Sequence, residues 1–507
     1  MESGEARTAS DRLDATRFAA GEWRWALSLA AVVVVATTVP YLIAWAMTPP
    51  GHVWIGTTHN GTDTSVHWSW IVQARDGSFF LSNLFATEPQ SGRFVHLWAW
   101  AIGALSALLH VPYVWVYHAS RAAFTITSVV LVYRLSAQVT DDVVGRRWAT
   151  ATVMAGGGLG WLFGLAGAPF ATADLVQPEI VTFLALYSSG LFAFSITLFL
   201  LVLTCLLEAA RTGRDRDAVI AGAAAFLLVN VHTYDAVPLA AAWIAYLLVL
   251  GIGTRSLPRR ALRAAVIAAV IAAPAALWML WYLLVDPVFM LRAAVATPAL
   301  SPGHYLLGFG LLLPLAALGA RYEAARRPMI ALLVAWAVLQ LGLGYLPTSV
   351  QRKLLMGIHV PIALLAGLGL ARINASRRGW AAAAALIVIV SLGNAFFVAR
   401  DLSVLAERGG DLSDFRTYVP RDVFEGLARA RGTEPDAVIA TRPVYSPHVA
   451  MVAGRTTLPG HWGETPRYHE KRAIVDDVLE GRLDLAAFAA ATGATHLLVR
   501  DRLIPLR

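Results

Sequence analysis

Residues 59–77 read "HNGTDTSVHWSWIVQARDG" and follow directly on the first long apolar run, 25–47. Asp63, His67, Arg75 and Asp76 stand here among apolar residues, and Val66, Trp70 and Gln73 fall on one face of a helix. A membrane chain that sets a carboxylate at the start of an amphipathic helix, just beyond its first span, poses a choice. Asp63 caps the helix, a position Asp favours, or it works as a base on a substrate at the membrane surface. The two roles are compatible, because a carboxylate at a helix start is well oriented.

The chain around this stretch is that of an integral membrane protein. Of its 507 residues 57% are hydrophobic and 15% charged, with 17 Trp; soluble domains carry about 25% charged residues. Apolar runs at 25–47, 113–135, 148–168, 189–208, 218–232, 236–253, 261–284, 303–320, 329–346, 354–371 and 380–399 predict an α-helical polytopic protein of about 11 spans. The net charge of +8 does not point to nucleic acid, because the arginines are scattered through short loops. With the N-terminal tail 1–24 taken as cytoplasmic, twenty of the 41 basic residues fall on the cytoplasmic side. Six (Arg75, Arg93, Arg121, Arg292, Arg352 and Lys353) fall outside, and the remaining fifteen lie in 400–507. The first apolar run is longer than the core of a cleaved signal peptide and predicts an uncleaved anchor. Cys205, the only cysteine, sits within an apolar run and reads as a packed thiol.

"FVHLWAWAIGALSALLH" (94–110) is apolar enough to cross, but a crossing there would turn every later arginine-rich loop outward. It therefore reads as an interfacial helix within a long first outer loop, 48–112. Residues 218–232 and 236–253, joined by "HTYDAVP", read as a hairpin carrying His232 and Asp235 at its tip. An ionisable pair at that depth is costly unless paired or functional. Beyond 400 the composition turns polar, and "DAVIA" (436–440) and "HLLV" (496–499) predict strands while 466–480 and 483–492 predict helices. Residues 400–507 thus read as a small extracytoplasmic α/β domain, and 25–399 as the transmembrane domain.

Further candidates lie on the predicted outer face. "NLFATEPQSGR" (83–93) holds Glu88 and Arg93, and "TADLVQPEI" (172–180) holds Asp174 and Glu179; turn and loop solvation explain each of them alone. In "LPTSVQRKLLMGIHVP" (346–361), Arg352 and Lys353 run against the charge bias. They read as snorkelling anchors or as a clamp for an anionic phosphate. "LPGHWGETPRYHEKR" (458–472) clusters His461, Trp462, Glu464, His469 and Glu470. Trp462 is suited to stack on a sugar ring, a packed surface loop is the plainer reading, and the spacing matches no metal-ligand pattern.

The Asp-opened first outer loop, the interfacial stretch, the next span beginning "VWVYHASRAAF" (114–124) and the polar C-terminal domain together resemble the GT-C fold glycosyltransferases. These are polyprenyl-phosphate-sugar-dependent membrane enzymes that include protein mannosyltransferases and lipid A aminoarabinose transferases. The likeness covers most of the membrane region as architecture and 59–135 in sequence detail. "VQRKLLMGIHVPIALLAGLG" (350–369) and "GHWGETPRYHEKR" (460–472) resemble segments of uncharacterised bacterial proteins of that class. The resemblance implies Asp63 as general base, with Arg352 and Lys353 binding the phosphate of a polyprenyl-phosphate sugar. It implies an acceptor that is a glycan, lipid or protein on the outer side of the cytoplasmic membrane. Many relatives carry paired acids after the first span, whereas Asp63 has no acidic neighbour, so Asp174 or Glu179 would have to supply a second acid. His67, Glu88, Arg93, His232, Asp235, His461, Trp462 and Glu464 are further candidates for substrate contact. No cofactor is indicated, a divalent metal included. Two alternatives remain open: a non-catalytic scaffold of the same fold, and a polytopic transporter or lipid flippase, which would need broken helices and ionisable residues at mid-membrane.

Overall fold

The computed structural model of the chain describes residues 18–168, 170–321, 327–376, 378–409, 411–412 and 415–506. Most of the predicted cytoplasmic tail, 1–24, lies outside the described residues. Seven described helices are long and apolar enough to cross a membrane: Ala20–Ala46, Tyr113–Val139, Gly190–Thr212, Thr233–Thr254, Arg259–Val285, Gln351–Asn374 and Gly379–Glu407. They make this a multi-pass membrane protein.

Of the other predicted spans, 218–232 is short, as its reading as one arm of a hairpin has it, while 148–168, 303–320 and 329–346 differ from the expectation of full, uninterrupted crossings. Residues 303–320 form two helices, Pro302–Phe309 and Leu312–Gly319, bent by 72°, with Gly310 at φ +47° in the bend. Residues 218–232 and 329–346 form Asp215–Val231 and Arg327–Leu343, each of 17 residues. At 1.5 Å per residue such a helix rises about 26 Å, short of the roughly 30 Å of hydrocarbon. Residues 148–168 are broken between Val143–Ala155 and Gly160–Leu165 by the run Gly156–Gly157–Gly158. The 94–110 segment forms a helix of 13 residues, Leu97–Leu109. At about 20 Å it is too short to cross, in keeping with an interfacial reading.

Contacts divide the chain into two compact units. One comprises residues 1–37, 121–276 and 297–397. Its centre is the helix His359–Asn374, in which every residue from His359 to Ala371 is buried. Small residues let neighbouring backbones reach it. A Cβ on Gly369 would lie 2.2 Å from the Leu315 carbonyl oxygen, one on Gly319 1.8 Å from that of Leu365, and one on Gly367 2.4 Å from Ala149 Cα. In lipid, such close packing takes the part that water expulsion plays in soluble cores. The triple-glycine break is closed from within the same unit. Gly157 N–H donates to Val390 O at 2.7 Å and Leu159 N–H to Leu307 O at 3.1 Å, while Asn394 Nδ2 donates to Ala155 O at 2.8 Å and Gly156 O at 3.1 Å. Backbone freed from a helix in a membrane protein needs partners of this kind.

The second unit comprises 38–120, 277–296 and 398–507, so residues 48–112 fold together with the polar C-terminal segment. His52–Trp54 pairs antiparallel with Tyr418–Pro420. A four-stranded sheet runs in the order Thr456–Leu458, Val438–Thr441, His496–Val499, Arg502–Pro505, the first three parallel and the last antiparallel. Tyr468–Leu479 and Leu485–Thr492 contribute Val475, Val478 and Phe488 to a core with Ala440, Leu458 and Leu497. Both strands and both helices read from the sequence are present here.

Gly61–Arg75 is the helix that carries Asp63. It buries Trp68, Trp70, Ile71 and Val72, and Gly103 of Leu97–Leu109 leaves room for the Ile71 carbonyl, which a Cβ would approach to 2.5 Å. Its entry is set by two neighbours. Asn60 holds φ +44°, a left-handed position that Asn tolerates. At Gly61 a Cβ would meet the Phe415 ring at 2.1 Å.

Candidate active site

The helix start differs from the reading of Asp63 as its cap. Asn60 occupies the N-cap, and Asp63 is the third helical residue, in the first turn. Asn60 Nδ2 donates to Asp63 Oδ2 at 2.7 Å. The other oxygen, Oδ1, faces His461 Nε2 at 3.5 Å, with the Asp63 side chain 51% exposed and that of His461 only 3%. Gly463 N–H donates to His461 Nδ1 at 3.0 Å. An amide N–H can only donate, so Nδ1 is the acceptor and the ring proton sits on Nε2, towards Asp63. At 3.5 Å the Nε2–H falls short of a normal hydrogen bond, and Nε2 is otherwise buried without a partner among the described residues.

The loop that presents His461 is held at several points. Thr465 Oγ1 accepts from His461 N–H and donates to Phe85 O, at 2.8 and 2.7 Å, and Gly460 N–H donates to Ser446 Oγ at 2.8 Å. Burial pushes the Asp63 carboxyl up, but His461, the Asn60 amide and His67 outweigh it and hold it below the usual carboxylate range. His67 follows one turn later on the same helix face. Trp462 is half exposed and stacks on the His461 ring at 5.6 Å. Asp63 is thus an ionised, water-accessible carboxylate between an imidazole and an amide.

The other candidates of this unit are engaged elsewhere. Glu464 pairs with Arg292, whose guanidinium lies over the Trp70 ring at 5.3 Å. Asn83 Nδ2 donates to the Glu464 carbonyl at 2.9 Å. Glu88 receives Lys471 Nζ on both oxygens at 2.7 Å, with Arg467 at 3.7 Å. These pairs tie the 83–93 turn and the residue 292 region to the 458–472 loop, a structural task for both glutamates. Arg93 is exposed. Sequence reasoning named His461 without linking it to Asp63; two residues so distant in the chain carry no local signal of their pairing.

In the first unit, Arg352 Nη2 lies 3.5 Å from Glu179 Oε1. Its carbonyl accepts from Gln177 Nε2 and its N–H donates to Thr297 O, both at 3.0 Å. Lys353 Nζ rests over the Tyr234 ring, 4.7 Å from its centre. His232 Nδ1 is 3.0 Å from Asp235 Oδ1, and the Asp235 side chain is 1% exposed. The structure thus gathers Arg352, Lys353, Glu179, His232 and Asp235 around two short 3-10 turns, Thr233–Asp235 and Gln351–Leu355.

Asp174 stands apart from that group, fully buried. Its Oδ2 accepts from Gly160 N–H at 3.1 Å, and a Cβ on Gly158 would approach it to 2.6 Å. Burial pushes its carboxyl up, against the backbone N–H groups that hydrogen-bond to it. It seals the glycine break. Asp174→Ala should destabilise the protein by about 1–3 kcal/mol, the cost of leaving buried N–H groups unpaired. Detergent-solubilised thermal unfolding measures this, and an unchanged midpoint would remove the seal.

Among the described residues no three His, Cys, Asp or Glu side chains gather as a metal site. No protein-family model matches the chain, and no curated protein does. Solved structures do. An oligosaccharyltransferase from Archaeoglobus fulgidus, in complex with Zn and sulfate, is 13% identical over 93% of this chain and 67% of its own, with a TM-score of 0.52. The Archaeoglobus fulgidus oligosaccharyltransferase AglB, with an inhibitory peptide and a dolichol-phosphate, is 13% identical over 92% and 69%, at 0.49. ArnT from Cupriavidus metallidurans, bound to undecaprenyl phosphate, is 14% identical over 92% and 90%, at 0.46. At these identities the likeness speaks to architecture alone, and among the three it is the first that carries it. The chain has the fold of the GT-C membrane glycosyltransferases.

Proposed function

We propose that the protein is a membrane glycosyltransferase that moves a sugar from a polyprenyl-phosphate donor to an acceptor on the outer side of the cytoplasmic membrane. The observation that carries this reading is Asp63: ionised, half exposed and facing the Nε2–H of buried His461, on whose ring the half-exposed Trp462 stacks. Asp63 accepts the proton of the acceptor hydroxyl as that oxygen attacks the anomeric carbon. The bond from that carbon to the phosphate oxygen breaks, and the phosphate leaves with the bonding electrons. One displacement inverts the anomeric configuration. A carboxylate held below its usual range is a weak base in the free enzyme, and excluding water as the acceptor binds raises it. Trp462 offers its open face to a sugar ring.

Arg352 and Lys353 are assigned to the donor phosphate. An arginine offers paired N–H donors and a lysine a point charge, and the leaving phosphate needs both. Arg352→Ala should weaken polyprenyl-phosphate binding about 10–100-fold, the worth of a charge-assisted hydrogen bond. Titration of the purified protein with the lipid reads this out, and unchanged affinity would remove the clamp. The test of the function itself is sugar transfer from a panel of polyprenyl-phosphate sugars. Silence with donor bound favours the scaffold.

One set of observations favours transport instead: the break at 156–158, the 72° bend, and the buried Asp174 and Asp235. Broken helices with buried ionisable groups are what a transporter uses. Silence in the transfer assay without donor binding would move the assignment there.

A further inference from the structure

In the first unit, the turn between Gly190–Thr212 and Asp215–Val231 meets the first turn of Arg259–Val285 around a cavity of about 230 Å³. Arg214, Arg260 and Arg263 line it. Arg263 pairs with Asp215; among the described residues neither Arg214 nor Arg260 has a carboxylate partner. Arg260 Nε lies 3.6 Å from where a Gly213 Cβ would sit, so its guanidinium crosses the mouth of the turn. Two helix N-termini border the cavity, and the one at Arg259 has no acid in its first turn. Their free N–H groups add to the attraction for an anion.

The segment leading into Arg259–Val285 borders an apolar groove of about 440 Å³, lined by Leu248, Ile252, Leu257 and Leu262. Gly190–Thr212, Thr233–Thr254 and Arg259–Val285 are all apolar enough to span. The cavity and the groove therefore sit at span ends, where headgroups give way to acyl chains. The charge bias of a membrane protein accounts for arginines at such a depth. It does not account for a concave volume edged by two guanidiniums without carboxylate partners and bordered by an apolar groove. We propose that this cavity binds the headgroup phosphate of an anionic glycerophospholipid, with an acyl chain along the groove. Basic pockets between membrane helices take such headgroups.

The experiment is thermal unfolding of the purified full chain in neutral detergent, with added phosphatidylglycerol, phosphatidylcholine or inorganic phosphate. The expected result is a saturable rise in midpoint with phosphatidylglycerol alone. Arg214→Ala combined with Arg260→Ala should raise the half-saturating concentration about 30-fold, while Arg378→Ala, outside the cavity, leaves it unchanged. An equal rise with phosphatidylcholine, or wild-type saturation in the double variant, would overturn the proposal. A rise reproduced by inorganic phosphate would overturn the lipid assignment in favour of a soluble phosphate. Should the double variant be unstable before lipid is added, native mass spectrometry of Arg260→Ala decides: loss of the retained phospholipid supports the site, and retention sinks it.

Discussion

Asp63→Asn is expected to leave the protein folded and to lower sugar transfer by about 10²–10⁴-fold, the usual contribution of a positioned base. The substitution is nearly isosteric, and the new amide oxygen still accepts from Asn60 Nδ2, which lies 2.7 Å from the carboxylate now. What is lost is the site that receives a proton. Side-by-side transfer assays of wild type and variant, with a matched unfolding midpoint, make the measurement; comparable turnover in both would keep an enzyme and discard Asp63 as its base. The pH dependence adds a second reading. The carboxyl is held below its usual range, so it stays ionised as pH falls from 7 to 5, and its contribution is lost only in stronger acid. Transfer should therefore not fall across that interval for want of this base.

The largest expected effect on stability is at the helix crossing in the first unit. Gly369→Val would drive a Cβ to within 2.2 Å of the Leu315 carbonyl oxygen, and backbone, unlike a flexible side chain, cannot step aside. Overpacking usually costs about 1–3 kcal/mol; two rigid helices in contact put this substitution at or above the top of that range. Gly342, with nothing within 4 Å of its Cβ position, provides the control. Gly342→Ala should be neutral or stabilising by up to about 1 kcal/mol. Unfolding midpoints of the two variants in detergent test the contrast, and a wild-type midpoint for Gly369→Val would refute the crossing.

Much of the architecture was legible before any coordinates. A helix that crosses a bilayer satisfies its own backbone hydrogen bonds, so its presence is written locally in the run of apolar residues. For that reason Gly190–Thr212 and Arg259–Val285 were readable as spans. The same holds for Leu97–Leu109, where the arginine distribution argued against a crossing. In the polar segment, short apolar runs marked Val438–Thr441 and His496–Val499.

Asp63 was legible as a candidate from its setting, but its partners were not. The helix begins one residue after an Asn in a left-handed conformation, which moved the cap from Asp63 to Asn60 and turned the carboxylate towards His461. Glu88 reads like Asp63 in sequence, an acid in an outer turn, yet Lys471 occupies both its oxygens. Glu464 is likewise taken by Arg292. The break at 156–158 looked like part of a span because glycine barely alters hydropathy; Asn394 and Val390, far along the chain, and Asp174 of the next segment make it possible. Hydropathy and helix periodicity act between near neighbours, so the amino-acid order alone settles a polytopic helical protein with an Asp-bearing helix after its first span. Which charges are neutralised, which carboxylate stays open to water and where backbones touch depend on groups that only folding brings together. Those contacts distinguish a water-exposed acid from one held in an ion pair.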